Sequence, residues 1–333
     1  MIRKEDLRIV FMGTPEFAVE TLRTLVEGGY NIVAVVTQPD KPVGRHQDTL
    51  QPTPVKRYAE ECGIPVLQPV KMKDETFLET LKAFRADLQI VVAFRMLPEV
   101  VWDMPRYGTF NVHAALLPQY RGAAPINWAV INGETMTGVT TFFLDHDIDT
   151  GRIIERRTFD IPDDADVEYV YDGLMRLGAE IAVSTTDKIL AGDGTVASMP
   201  QEECMDFVGA KKAEDLHHAP KIFKETCEIC WRREAKGVYD FIRGLSPYPG
   251  AWTTIVSPEG KELVMKVFKT AKTERTAEGM VPGVFQEEKG RIFVAAEDRM
   301  LEIIELQITG KRRMTARDFL NGFKNITTYT CKG

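Results

Sequence analysis

Leu7-Arg8-Ile9-Val10-Phe11-Met12-Gly13-Thr14-Pro15-Glu16-Phe17 is the stretch from which the fold is read. Leu7 to Phe11 is a largely apolar run of strand length, and Met12 to Pro15 forms a turn. Glu16 to Glu27 then sets Phe17, Leu22, Leu25 and Val26 at helical spacing. Gly28-Gly29 stops that helix, and Ile32 to Val36 is a second, wholly apolar strand. Strands apolar on both faces belong to parallel sheets covered by helices, so this is a strand-helix-strand unit of such a sheet.

Working outward, Leu88 to Val92, Thr109 to His113 and Thr137 to Phe143 read as further strands. Pro54 to Glu61, Asp74 to Phe84, Pro125 to Asn132 and Val167 to Leu190 read as helices. The expected fold class is α/β, a doubly wound, mostly parallel, Rossmann-like sheet with ligands at the carboxyl ends of its strands. Gly13 is not followed by the second and third glycines of a dinucleotide fingerprint, which argues against a nicotinamide dehydrogenase.

Beyond Ala191-Gly192-Asp193-Gly194 the chain is polar and broken. Short strands then recur at Ala251 to Val256, Leu263 to Thr270, Arg291 to Ala295 and Met300 to Leu306, between helices at Ala235 to Arg243 and Thr315 to Phe319. That pattern predicts a small, OB-like β-barrel. The expected division is a catalytic domain over 1–191, a linker over 192–209 and a barrel domain over 210–333.

With 333 residues and 44% hydrophobic content the chain has the makings of a two-domain globular enzyme. No apolar run reaches the roughly 18 residues of a membrane span, and the N-terminus has no signal-peptide core, so a cytoplasmic location without a membrane partner is expected. Five cysteines fit a reducing compartment. Cys227-Glu228-Ile229-Cys230 lacks the second pair a zinc site needs and reads as two reduced thiols, so no metal is expected. The net charge of −7 is unevenly spread: residues 210–333 hold 22 basic and 17 acidic residues, +5, which leaves −12 for residues 1–209. A basic half suits a polyanion partner or a merely solvated surface.

Asn111 and His113 are two residues apart on a strand, so they face one side while Phe110 and Val112 face the other. A turn-rich loop follows, Leu116-Leu117-Pro118-Gln119-Tyr120-Arg121-Gly122-Ala123-Ala124-Pro125, and then Asp145-His146-Asp147-Ile148-Asp149-Thr150-Gly151. The alternating aspartates fail as a calcium loop, because Thr150 stands where Gly is needed and Arg156 where Glu is needed. The Asn-x-His pair, the Leu-Leu-Pro loop and the Asp-Thr-Gly turn together resemble the signature of the folate-dependent formyltransferases.

The resemblance implies that 10-formyltetrahydrofolate is the formyl donor and that Asn111, His113 and Asp149 are catalytic. Formyl transfer to an amine needs a donor for the developing oxyanion, for which Asn111 is suited, and a group to take the amine's proton, for which His113 is suited; Asp149 would orient the imidazole or a bridging water. The resemblance further implies folate contacts from the Phe94-Arg95-Met96-Leu97 loop and from Ala115, Leu116, Leu117 and Pro118. Ala115 departs from the serine common there.

Landmarks across both halves resemble the branch of that family whose acceptor is the methionyl amine of initiator tRNA. They include Gly13-Thr14-Pro15-Glu16-Phe17, Asp40-Lys41-Pro42-Val43-Gly44-Arg45, Ala219-Pro220-Lys221-Ile222, Leu245-Ser246-Pro247-Tyr248-Pro249-Gly250-Ala251-Trp252 and Gly310-Lys311-Arg312-Arg313-Met314. That resemblance implies a monomer that formylates initiator methionyl-tRNA for translation initiation, with Arg45, Lys311, Arg312 and Arg313 as tRNA contacts. The chain departs from the branch at His46-Gln47-Asp48, where basic residues are usual, and at His146. Alternatives are a formyltransferase acting on an amino-sugar nucleotide and a 10-formyltetrahydrofolate hydrolase.

Overall fold

The computed structural model describes residues 2–43 and 49–332. Its first sheet contains β1 (Ile9–Gly13), β2 (Ile32–Val36), β3 (Val66–Leu67), β4 (Leu88–Val92), β5 (Thr109–His113), β6 (Met136–Phe143) and β7 (Ile153–Asp160). The spatial order is β7-β6-β5-β4-β1-β2-β3. Strands β3, β2, β1, β4 and β5 are mutually parallel; β6 is antiparallel to β5, and β7 is antiparallel to β6. β1 and β4 are buried at all five positions, as strands covered on both faces must be.

Helices α1 (Glu16–Glu27), α2 (Pro54–Glu61), α3 (Glu75–Ala83), α4 (Glu99–Trp102), α5 (Pro125–Ile131) and α6 (Val167–Ala191) intervene or follow. Thr53 and Asp74 cap α2 and α3, their side-chain oxygens accepting from the backbone of Lys56 at 3.1 Å and Phe77 at 3.0 Å. Phe77 and Leu81 of α3 pack with Val10, Met12, Ala34 and Val36.

Strand β7 was not among the expected strands. Its centre is Glu155-Arg156-Arg157, and it is an edge strand that keeps its polar side chains partly in water, so neither an apolar run nor clean alternation marks it. Gly138 permits its close approach, since a Cβ there would lie 2.0 Å from the carbonyl oxygen of Arg157.

The chain divides into two compact units, but not by a single cut. One comprises Met1–Gly122, Met136–Asp160 and Tyr171–His218; the other comprises Ala123–Thr135, Ile161–Val170 and Ala219–Gly333. The second unit is built on a curled antiparallel sheet: β8 (Ala251–Val256), β9 (Glu262–Thr276), β10 (Phe285–Glu288), β11 (Arg291–Ala295), β12 (Arg299–Ile308), β13 (Met314–Thr315) and β14 (Thr330–Lys332). The order is β10-β11-β12-β9-β8-β14, with β13 on β12, and a bridge between Val284 and Thr330 brings the two edges together. β9 runs six residues past the expected Thr270, and three register shifts against β12 bend it.

Trp231, Val238, Ile242, Ile255, Met265 and Leu301 lie in the core of that unit, to which α7 (Ala235–Gly244) and α8 (Ala316–Gly322) contribute. Helix α5 belongs here because it packs on α7: a Cβ on Gly244 would sit 2.6 Å from Ile131, and Asn127 Nδ2 donates to the Gly244 carbonyl at 2.9 Å. Beside this contact Asp240 and Arg243, both buried, pair at 2.7 Å; Lys236 donates to the other Asp240 oxygen at 2.5 Å, and Arg243 to the Ala165 carbonyl at 2.8 Å.

The stretch expected as a linker is not a free tether. It folds into short 3-10 turns at Gln201–Cys204 and Asp206–Val208, and Gln201 and Cys204 are buried in the first unit. Cys227 and Cys230 are free thiols, the first buried and the second exposed.

Candidate active site

Strand β5 ends with Asn111 half-buried and His113 buried, both on the face opposite Phe110 and Val112. The register sets Asn111 between Val91 of β4 and Phe142 of β6. Among the described residues no side-chain hydrogen bond holds the Asn111 amide. It is therefore available as a donor to a bound carbonyl.

His113 is fixed on several sides. Its Nε2 lies 2.9 Å from the Tyr120 carbonyl oxygen, and its ring stands edge-on to Phe142 with centroids 6.3 Å apart. A carbonyl only accepts, so Nε2 carries the hydrogen and Nδ1 keeps its lone pair in the neutral ring. Nδ1 faces Asp149 Oδ2 at 3.8 Å. That is too long for a direct hydrogen bond, yet close enough for the carboxylate to stabilise an imidazolium once Nδ1 has taken a proton.

The loop supplying the Tyr120 carbonyl is itself held. Thr140 Oγ1 accepts from the Leu117 N–H at 3.1 Å and donates to the Ala115 carbonyl at 2.7 Å. The Tyr120 N–H donates to the His217 carbonyl at 2.7 Å, and the His217 N–H to Gln119 Oε1 at 2.6 Å. Tyr120 is left-handed at φ 59°, which turns its carbonyl toward the histidine.

Asp149 is also left-handed, at φ 56°, a conformation that aspartate tolerates better than most residues. Its Oδ2 accepts from the Gly122 N–H at 2.9 Å. Two residues on, Gly151 is required sterically, since a Cβ there would fall 1.7 Å from the Phe143 carbonyl oxygen. His113, the last residue of β5, and Asp149 thus face each other at the carboxyl end of the strand, with Asn111 two residues back on the same face of the sheet.

Gln201, Arg121 and Thr140 were not anticipated here. Gln201 Nε2 donates to the carbonyls of Asp149 at 2.8 Å and Gly151 at 2.9 Å, while its Oε1 accepts from Arg121 at 3.0 and 2.6 Å. Burial pulls the Arg121 pKa below its ordinary value, and the charges of Glu202 and Asp149 oppose that pull.

The expected folate residues divide by burial. Leu117 is core, packed with Phe142, Ile153 and Cys204; Ala115, Leu116 and Pro118 are buried; and Leu97 joins the core beneath β1 and β4. Phe94 packs partly against that core, whereas Met96 is 70% exposed. The Arg95 guanidinium donates to the carbonyls of Pro69 and Val70, so it ties down a neighbouring segment. In the second unit Lys311 and Arg312 are exposed and, among the described residues, carry no ion pair. Arg313 is bound to Glu305 at 2.6 Å and lies over the Phe268 ring. Arg45 lies outside the described residues. No group of three or more His, Cys, Asp or Glu able to hold a metal occurs among the described residues.

Comparison with known proteins matches the chain in two consecutive stretches. Residues 7–186 match the family model described as formyl transferase, and residues 221–324 the model for the formyl transferase C-terminal domain. The chain is 59% identical to a methionyl-tRNA formyltransferase of Parabacteroides distasonis over 329 residues, 99% of each chain. It is 56% identical to one of Bacteroides thetaiotaomicron, covering 97% of this chain and 98% of that one. Among solved structures, the sugar 3N-formyl transferase WlaRD superposes with a TM-score of 0.62 at 16% identity, over 92% of this chain and 99% of that one. HypX from Aquifex aeolicus, in complex with tetrahydrofolic acid, superposes with 0.58 at 18% identity, over 94% of this chain and 46% of that one. At such identities these two superpositions speak to the fold alone.

Proposed function

The chain belongs to the formyl transferase family, and we propose that it transfers the formyl group of 10-formyltetrahydrofolate to the α-amino group of methionyl initiator tRNA. The observation that carries this reading is identity above half, over nearly the whole length of both chains, with proteins named for that tRNA. The site supports the chemistry. The Asn111 amide donates to the formyl oxygen as negative charge grows on it. His113 Nδ1 takes the proton that the amine loses on attack, Asp149 stabilises the resulting imidazolium, and when the tetrahedral intermediate collapses the bond from the formyl carbon to the folate nitrogen breaks and that proton passes to the departing tetrahydrofolate. An α-amine has a pKa of only about 8, so it needs little activation beyond this.

Folate is received by the loops 93–98 and 115–118, through their backbone and the exposed Met96 rather than through Leu97, Leu117 or Arg95, whose side chains are committed elsewhere. Lys311 and Arg312 serve as tRNA phosphate contacts, as does Arg45. Arg313 contributes less, because Glu305 already neutralises it. All three catalytic groups come from one chain, which fits a monomer. The tRNA acceptor implies a cytoplasmic setting, and no helix among the described residues is long and apolar enough to cross a membrane.

The test is to supply purified protein and 10-formyltetrahydrofolate with initiator Met-tRNA, free methionine, a nucleotide-linked amino sugar, or water alone. Formyl-methionyl-tRNA as the dominant product supports the reading. Formate release with the tRNA unmodified, or faster formylation of the amino sugar, overturns it.

A further inference from the structure

We propose that Gln201 is a positioning residue for the reaction, acting through Asp149. The inference rests on the reading of Asp149 given above and extends it to a residue of the segment that follows α6.

The Gln201 side chain is 1% exposed and fully engaged. An amide has two N–H donors and an oxygen with two lone pairs. Here both N–H groups point at carbonyls, those of Asp149 and Gly151, and the oxygen takes both Arg121 donors. The partners also fix which way round the amide sits, since neither carbonyls nor guanidinium could accept the reverse orientation.

These bonds close a ring around the catalytic aspartate. Gln201 holds the Asp149 main chain, and Arg121 joins Gln201 to the backbone leading into Gly122. The Gly122 N–H in turn holds Asp149 Oδ2 at 2.9 Å. One residue before Arg121, the Tyr120 carbonyl holds His113 Nε2. The carboxylate and the imidazole are therefore referred to one short loop, which Gln201 locks to the turn carrying Asp149.

Such a lock matters because Asp149 sits in a left-handed conformation that its own sequence does not enforce, and Gly151 follows it. A shift of about 1 Å in the turn would change the 3.8 Å gap to Nδ1, and positioning errors of that size are costly to catalysis. The chain reaches this place because, after α6, Met199 pairs with Ile153 at the start of β7 through two 2.8 Å bonds, which delivers residue 201 behind the turn.

The experiment is a mutant cycle in formylation of initiator Met-tRNA, with Gln201→Met and Gln201→Glu made singly and combined with Asp149→Asn. Methionine keeps the length and removes every hydrogen bond; glutamate keeps an acceptor for Arg121 and removes both donors to the turn. Each single Gln201 variant is expected to lower kcat on the order of 10-fold or more, with KM for tRNA and folate within about twofold. In the Asp149→Asn background the further loss should be under about twofold, because the residue acts only through that carboxylate. An equal loss in both backgrounds, or full turnover in Gln201→Glu, overturns the proposal. If the wild type proves active on a different acceptor, the tRNA reading fails while the same cycle, run with that acceptor, still decides the role of Gln201.

Discussion

Asp149→Asn isolates the charge at the site from its geometry. An asparagine oxygen still accepts the Gly122 N–H now held at 2.9 Å, and its backbone still meets Gln201, so the turn should stand. What disappears is a negative charge 3.8 Å from His113 Nδ1, between side chains only 13% and 6% exposed. At the effective dielectric of about 20 suited to such sites, a full charge pair at this distance is worth about 4 kcal/mol. If the imidazolium is half-formed in the transition state, about 2 kcal/mol is lost. The expected fall in kcat is therefore between roughly 30-fold and 1,000-fold, with KM for both substrates little changed. Single-turnover formylation of Met-tRNA measures the chemical step, and far-UV circular dichroism with thermal unfolding checks the fold. Turnover within about threefold of wild type in a folded variant would refute the role given to Asp149; an equal rise in KM with kcat intact would reassign it to substrate binding.

His113→Ala and Asn111→Ala should each reduce kcat by about 100-fold or more, the scale of a lost proton-transfer group or oxyanion donor, with steady-state kinetics as the measure. Asp240→Ala strands the buried Arg243 without its carboxylate and should cost about 3–5 kcal/mol, read from urea unfolding, while the exposed Glu278→Ala should cost little. Thiol labelling of native protein at pH 8 should modify Cys62 and Cys230 quickly and leave Cys204, Cys227 and Cys331 until unfolding. Burial pushes the Cys331 thiol up to about 12 and raises that of Cys227, so both stay protonated and shielded. Replacing Lys311 and Arg312 together with alanine should flatten the salt dependence of tRNA affinity by about two units of logarithmic slope; an unchanged slope would remove them from the interface.

The parts of the molecule legible in the sequence are those where one local pattern answers to one physical demand. β1, β2 and β4 are buried on both faces and announce it with apolar runs. Asn111 and His113 could be paired because the period of a strand is two. β7 was illegible because an edge strand can carry Glu155-Arg156-Arg157 without cost. Gln201 was illegible for another reason: its partners are backbone carbonyls 50 and 52 residues away, and no property of its neighbours Pro200 and Glu202 marks it for burial. Leu117, Leu97 and Arg95 show the converse, since a motif names the loop that meets a ligand without saying which side chains are spent holding that loop up.

The charge reading changes most when the true units replace the halves of the sequence. Residues 219–333 carry the same +5 as residues 210–333, because Lys211 and Lys212 are offset by Glu214 and Asp215. The barrel unit, however, also takes in 123–135 and 161–170, which bring Glu134, Asp163, Asp164, Asp166 and Glu168 and cancel that excess. Three of the unit's lysines are paired inside it, Lys272 and Lys236 both on Asp163 and Lys332 on Glu262, and Arg275, Arg291, Arg299 and Arg313 are each paired with a glutamate. A formally neutral unit exerts no general pull on a polyanion, so any attraction must come from the local arrangement of cations left unpaired, of which Lys311 and Arg312 are two. Screening acts on such contacts one by one, which is why the salt slope of a double variant, rather than the overall charge of the barrel, measures how the tRNA is held.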